Sequence, residues 1–127
     1  MKNIEPKICR QRATIEARYS KSTEITEEKI KEFLIKFAEE LEMSPLTEPF
    51  IFSPNKLNHP IHHGIAGFMA WATSGCSIYT WDNYKFLTVE TYTCKPFLIS
   101  KAVQFIKRFF DCTEIEFSEV EHEKANC

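Results

Sequence analysis

The stretch from Gly64 to Cys94, GIAGFMAWATSGCSIYTWDNYKFLTVETYTC, holds three strand-like runs: Ile65 to Ala72, Cys76 to Trp81 and Phe86 to Cys94. Thr73-Ser74-Gly75 separates the first two and Asp82-Asn83-Tyr84 the last two, both of hairpin length and built from turn residues. Three such runs joined this way predict an antiparallel meander. Upstream, Pro54 to His63 reads as a loop, and Thr47 to Ser53 as an edge strand, because Pro49 and Pro54 interrupt and close it. Further upstream, Thr26 followed by Glu27 and Glu28 suits a helix start, since a hydroxyl caps free N–H groups and acids complement the dipole. Ile30, Phe33, Leu34, Phe37 and Leu41 then form one helical face that ends before Pro45. Thr14 to Tyr19 alternates apolar and polar residues as a strand does, and residues 1 to 12 read as a flexible arm. Downstream, Pro96 fits the first turn of a second helix, with Ile99, Ala102, Val103, Ile106 and Phe110 on one face. Thr113 to Val120 alternates again as a last strand, before a polar tail at 121–127. The order β, α, several β, α, β predicts an α+β fold, a two-layer sandwich with a mainly antiparallel sheet and two helices on one face.

Composition bounds the rest. A chain of 127 residues suits a single domain spanning 1–127, and eleven Phe, four Tyr and two Trp supply a core without help from metals or disulfides. A net charge of −2 with interspersed signs gives no basic stripe for nucleic acid or an anionic membrane. The longest apolar runs, such as Ile65 to Ala72, fall far short of the roughly 20 residues of a membrane span. The polar N-terminus lacks an apolar signal region, so a cytoplasmic location is expected. Five cysteines, Cys9, Cys76, Cys94, Cys112 and Cys127, are an odd number at irregular spacing, which favours reduced thiols. These features leave a small-molecule partner as the expectation.

The stretch from Gly64 to Cys94 resembles the bacterial and archaeal S-adenosylmethionine decarboxylases. Their pattern is a Gly-x-x-Gly strand, a turn bearing Glu-Ser, a strand ending His-Thr-Trp and a strand ending Phe-Thr-Cys-Gly. Here the matching pieces are Gly64-Ile65-Ala66-Gly67, Thr73-Ser74, Tyr79-Thr80-Trp81 and Tyr92-Thr93-Cys94-Lys95, at the same mutual spacings. Decarboxylation of an α-amino acid needs an electron sink joined to the substrate amine, and a protein without pyridoxal phosphate must build a carbonyl from its own chain. The resemblance implies that Ser74 does so: its hydroxyl attacks the preceding carbonyl, the ester eliminates, and the new N-terminal residue becomes a pyruvoyl group. Cleavage then gives fragments 1–73 and 74–127. Gly75 is expected to allow the backbone geometry of such a turn. The resemblance makes Cys94 the proton donor after carbon dioxide leaves, a role that a thiol of reference pKa near 8.5 can fill. It also implies a homodimer with sites near the subunit boundary, and a place in polyamine (spermidine) biosynthesis.

Several positions depart from the pattern. Thr73 replaces the acid before the serine, Tyr79 the histidine that assists elimination, and Ala66 the serine that assists processing. A phenol, of reference pKa about 10, is a poorer base at neutral pH than an imidazole near 6.5, so slow or absent cleavage is expected. On the substrate side, Asn83 replaces an acid, Glu90 keeps one where the family commonly has Asp, and Trp81 with Tyr79 and Tyr92 offers rings for stacking or for packing. Two further readings follow: an unprocessed homologue acting as a binding or regulatory partner, and a decarboxylase of another amino acid such as ornithine or arginine. Retention of Ser74 and Cys94 together favours an enzyme; the three altered processing positions favour the partner. Cys76 reads as a packed core thiol. His59, His62 and His63 place three imidazoles in a loop, without Cys or carboxylate at ligand spacing, so no metal site is expected.

Overall fold

The computed structural model describes residues 7–53 and 63–120. Strand β1 (Gln11–Tyr19) leads to helix α1 (Glu27–Glu40), then come β2 (Phe50–Phe52), β3 (Ala66–Trp71), β4 (Ser74–Trp81) and β5 (Phe86–Thr93), helix α2 (Ile99–Phe110) and β6 (Cys112–Glu119). The six strands form one sheet in the order β2-β3-β4-β5-β1-β6, every pairing antiparallel. The meander β3-β4-β5 is as the sequence predicts, and β1 inserts between β5 and β6 with Ile15 opposite Val89 and Phe117.

Both helices pack on one face, which makes the molecule an α+β two-layer sandwich. Ile30, Phe33, Leu34 and Phe37 of α1 are fully buried, and the Thr26 hydroxyl caps the helix by accepting from Lys29 N at 3.0 Å. Ala102, Ile106 and Phe110 of α2 are equally buried. The two helices meet through Phe33, Phe37, Phe105 and Phe109, with Phe33–Phe37 and Phe105–Phe109 stacked at 5.0 and 5.7 Å. From the sheet come alternate residues, among them Ile15, Ala17, Met69, Trp71, Ile78, Leu87 and Val89, each 4% exposed or less. The other set of alternate residues faces away, and among the described residues neither helix covers it. That face carries Phe50, Phe52, Phe68 and Tyr79, all more than 40% exposed.

Two glycines are required by close approach. A Cβ on Gly64 would sit 1.9 Å from the Thr80 carbonyl oxygen, where Thr80 also pairs with Ile65 through its backbone and its hydroxyl. A Cβ on Gly67 would meet Ile30 at 2.8 Å and Leu34 at 2.9 Å. The Gly-x-x-Gly spacing therefore seats β3 against β4 at one end and under α1 at the other.

Several boundaries differ from expectation. Gln11 and Arg12, assigned above to the arm, are the first residues of β1; the buried Gln11 amide bonds both Phe97 N and Phe97 O, a side-chain anchor that hydrophobic alternation does not reveal. The edge strand shrinks to Phe50–Phe52. Helix α2 starts after Leu98 rather than at Pro96. Cys9 is disulfide-bonded, against the expectation of reduced thiols, whereas Cys76, Cys94 and Cys112 are free; an odd count leaves room for a bridge, and spacing does not show which segments meet. Residues 54–62, most of the predicted loop, and the tail lie outside the described residues.

Candidate functional site

The β3–β4 connection is shorter than the sequence suggests. Trp71 pairs with Ser74, so only Ala72 and Thr73 form the turn, and Ser74 and Gly75 already belong to β4. Thr73 holds the positive φ of the turn, at 61°, and Gly75 has none. A Cβ on Gly75 would make ordinary contacts, 3.5 Å from Met69 O and from the Phe68 ring. The unusual backbone expected at Gly75 thus lies at Thr73, because the two-residue turn places its left-handed position before the serine rather than after it.

Ser74 and Cys94 meet at this end of the sheet. Pairing of β4 with β5 sets Gly75 opposite Tyr92, and just beyond the last pair Cys94 N donates to Ser74 Oγ at 3.1 Å. The Cys94 thiol lies 3.8 Å from the Tyr92 hydroxyl. That contact, with some burial, raises the Tyr92 phenol above its ordinary range and keeps it protonated. Arg12 lies over the Tyr92 ring, its guanidinium carbon 4.7 Å from the centroid. Ser74, Gly75, Phe68, Arg12, Glu90 and Tyr92 line a shallow cavity of about 360 Å³. It brings together a serine and two opposite charges, and one of its lining residues, Tyr92, touches the Cys94 thiol. A larger cavity of about 450 Å³ at the β1–β6 side is lined by Glu16, Arg18, Phe86, Glu114 and Glu116 and holds no nucleophile.

The remaining candidates divide. Ala66 and Tyr79 are register partners on the uncovered face, so β3 and β4 bring them side by side. From Ser74, however, Tyr79 is five residues along an extended strand, about 17 Å at about 3.3 Å per residue. Trp81 lies beyond it, packed 5.6 Å from Phe86, and Asn83 is in the short 3₁₀ turn Asp82–Tyr84. Within one chain these four do not join Ser74, Thr73, Cys94 and Glu90. Cys76 is buried, and desolvation holds its thiol far above the ordinary range, unreactive at neutral pH.

Arg12 escaped the sequence reading as a site residue because the polar Gln11 breaks the apolar alternation that would have carried β1 back to it. Its signal was the alternate position it shares with Thr14 and Glu16. Of the three loop histidines, His63 lies in the described segment, where its carbonyl accepts from Asp82 N at 2.7 Å; His59 and His62 lie outside it. Among the described residues no three His, Cys, Asp or Glu side chains are placed to share a metal ion, and no helix is long and apolar enough to cross a membrane.

Comparison with known proteins follows the same stretch outward. The profile of one family, S-adenosylmethionine decarboxylase, matches residues 12–123. Among solved structures, a crystal structure of the adenosylmethionine decarboxylase from Aquifex aeolicus VF5 superposes with a TM-score of 0.66 at 20% identity, covering 91% of this chain and 92% of that one. At that identity the superposition speaks for the fold. No curated protein sequence matches.

Proposed function

The chain belongs to the S-adenosylmethionine decarboxylase family, and from that premise we propose that it cleaves itself between Thr73 and Ser74 and decarboxylates S-adenosylmethionine in the cytoplasm for polyamine synthesis. The observation that carries this reading is the junction of Ser74 with Cys94: a serine at a tight turn, its Oγ accepting from Cys94 N at 3.1 Å, in the residue whose thiol meets the Tyr92 hydroxyl of the same cavity. The pyruvoyl group derived from Ser74 would supply a carbonyl that condenses with the substrate amine and withdraws electrons as carbon dioxide departs. The residues present fit such a group, because cleavage would leave Ser74 as a new chain end facing the cavity that it already lines.

The chain's own residues have distinct tasks in this reading. Cys94 delivers the proton to the carbon left by carbon dioxide, and Tyr92, 3.8 Å away and protonated, orients the thiol. Arg12 and Glu90 give the cavity opposite charges, which suits a substrate carrying both an amine and a carboxylate. Tyr79, Ala66, Trp81 and Asn83 reach the site only from a second copy. A homodimer built through the uncovered sheet face, with its exposed Phe50, Phe52, Phe68 and Tyr79, would bring them there and bury apolar area that one chain leaves wet. Tyr79 of the second copy then stands where the elimination needs a base.

The test is intact-mass analysis of the purified chain beside Ser74→Ala, with release of labelled carbon dioxide from carboxyl-labelled S-adenosylmethionine as the activity readout. Two fragments, the later one reactive toward a carbonyl reagent, are expected from the wild type only. A wild type indistinguishable from Ser74→Ala in mass and activity contradicts the reading. A second reading, an uncleaved homologue that binds and regulates a partner, is favoured by one observation: Ala66 brings no hydroxyl beside Tyr79.

A further inference from the structure

Four described residues other than glycine have positive φ: Glu42, Thr73, Lys85 and Asp111. Three of them follow a helix or a 3₁₀ turn, where a left-handed residue is a usual terminator. Thr73 is different. It is β-branched, the class of side chain for which the left-handed region is a genuine outlier, and it stands in a two-residue hairpin turn where glycine is the ordinary choice.

The turn is held on every side. Ala72 N donates to Ser44 O at 2.8 Å, the Thr73 hydroxyl donates to Ala72 O at 2.6 Å, and Ser74 Oγ is fixed by Cys94 N. Pro45 bridges to Trp71, and Leu46 N donates to Ala70 O at 2.9 Å, so β3 is clamped up to the turn. These contacts hold the residues on both sides of Thr73, and the peptide bond that follows it is the one ahead of Ser74.

We propose that the left-handed backbone of Thr73 drives transfer of its own acyl group from Ser74 N to Ser74 Oγ, making Thr73 a positioning residue for self-processing; the inference rests on the cleavage reading above. In this step the Ser74 Oγ–carbonyl carbon bond forms, the Thr73–Ser74 C–N bond breaks, and the hydroxyl proton ends on the freed amine. No co-reactant is consumed. The ester route from Thr73 to the Ser74 Cα is one bond longer than the amide route, and its plane is softer than the amide's, so the turn gains the slack that lets φ relax. Thr73 occupies a position where the family has an acid, and its contribution here is conformational.

The test separates acyl transfer from the later elimination. Full-length wild type, Thr73→Ala, Thr73→Gly and Ser74→Ala are incubated with and without neutral hydroxylamine and analysed by denaturing mass spectrometry. Hydroxylamine attacks the ester carbonyl and breaks its bond to Oγ, releasing fragment 1–73 as a hydroxamate and fragment 74–127 with an intact serine. Wild type and Thr73→Ala, which keeps a Cβ at the strained position, are expected to cleave at rates within about threefold, and Thr73→Gly at least about tenfold slower. Thr73→Gly should also melt no lower than wild type, because it removes strain, so that its slowness is not misfolding. Thr73→Gly cleaving as fast as wild type overturns the inference, as does a wild type that yields no fragment even with hydroxylamine. A wild type cleaved only when hydroxylamine is present, with Thr73→Gly at least about tenfold slower under the same conditions, upholds the inference and removes the pyruvoyl reading. Spontaneous cleavage unaffected by Thr73→Gly removes the inference and leaves that reading in place.

Discussion

In the proposed self-processing, the rate turns on the side chain at position 79. An imidazole accepts a proton far more readily than a phenol near neutral pH, so Tyr79→His should speed the appearance of fragments by at least about tenfold. Time-resolved intact-mass analysis checks this. A second prediction concerns Asp82. Desolvation raises its carboxyl above the ordinary value of 3.8, against the opposing pull of Lys85, Tyr19 and His63, and one of its oxygens is buried without a hydrogen-bond partner, as is the Tyr19 hydroxyl. A carboxyl raised in the folded state opposes folding at neutral pH, and that opposition fades as pH falls through the raised value towards 3.8, because the folded chain takes up the proton first. Asp82→Asn should therefore raise the denaturation midpoint at pH 7, with the advantage shrinking on acidification; an advantage that grows in acid refutes the assignment. At this scale the family resemblance singled out Ser74 and Cys94, which strand pairing brings together, whereas the positive φ fell on Thr73, since a sequence offers Gly75 as the permissive residue and does not reveal where a two-residue turn begins.

At the scale of elements, periodicity carried the reading. The i, i+3, i+4, i+7 pattern from Ile30 to Phe37 and the alternation from Thr14 to Tyr19 placed α1 and most of β1, because each buries one face and burial selects apolar residues at the element's own period. Where a polar side chain did the anchoring, as Gln11 does for β1 and the end of the α2 connection, that signal failed. The glycines of the Gly-x-x-Gly pair make a graded prediction. Gly64→Ala drives a Cβ against a backbone carbonyl that has no room to move, while Gly67→Ala presses on the ends of two side chains, Ile30 and Leu34. Gly64→Ala should lower the thermal midpoint more than Gly67→Ala, and Thr26→Ala should cost about 1 kcal/mol through loss of the α1 cap. Thermal melts of the three variants rank them; a Gly67→Ala chain less stable than Gly64→Ala contradicts the packing account.

For the whole molecule, the division of the candidate residues is decisive. Ser74 and Cys94 share one end of the β4–β5 pair, and Tyr79 lies beside Ala66 on the uncovered sheet face, about 17 Å along β4 from Ser74. The proposed two-fold pairing of sheets would close that separation, and it makes a complementation prediction. Ser74→Ala supplies an intact Tyr79 and Tyr79→Ala an intact Ser74, so mixing the two after subunit exchange should restore cleavage of the Tyr79→Ala chain. Cleavage that is indifferent to mixing would place the base within one chain. No property of the isolated sequence disclosed this division, because spacing along the chain says that Tyr79 is near Ser74 and only the extended strand shows how far apart they are.

The measurement that bears most directly on the account is the intact mass of the freshly purified and aged chain under denaturing conditions. The account predicts two fragments, 1–73 and 74–127, with the second blocked at its new end and reactive toward a carbonyl reagent. A single unbroken 127-residue chain that persists on ageing contradicts it.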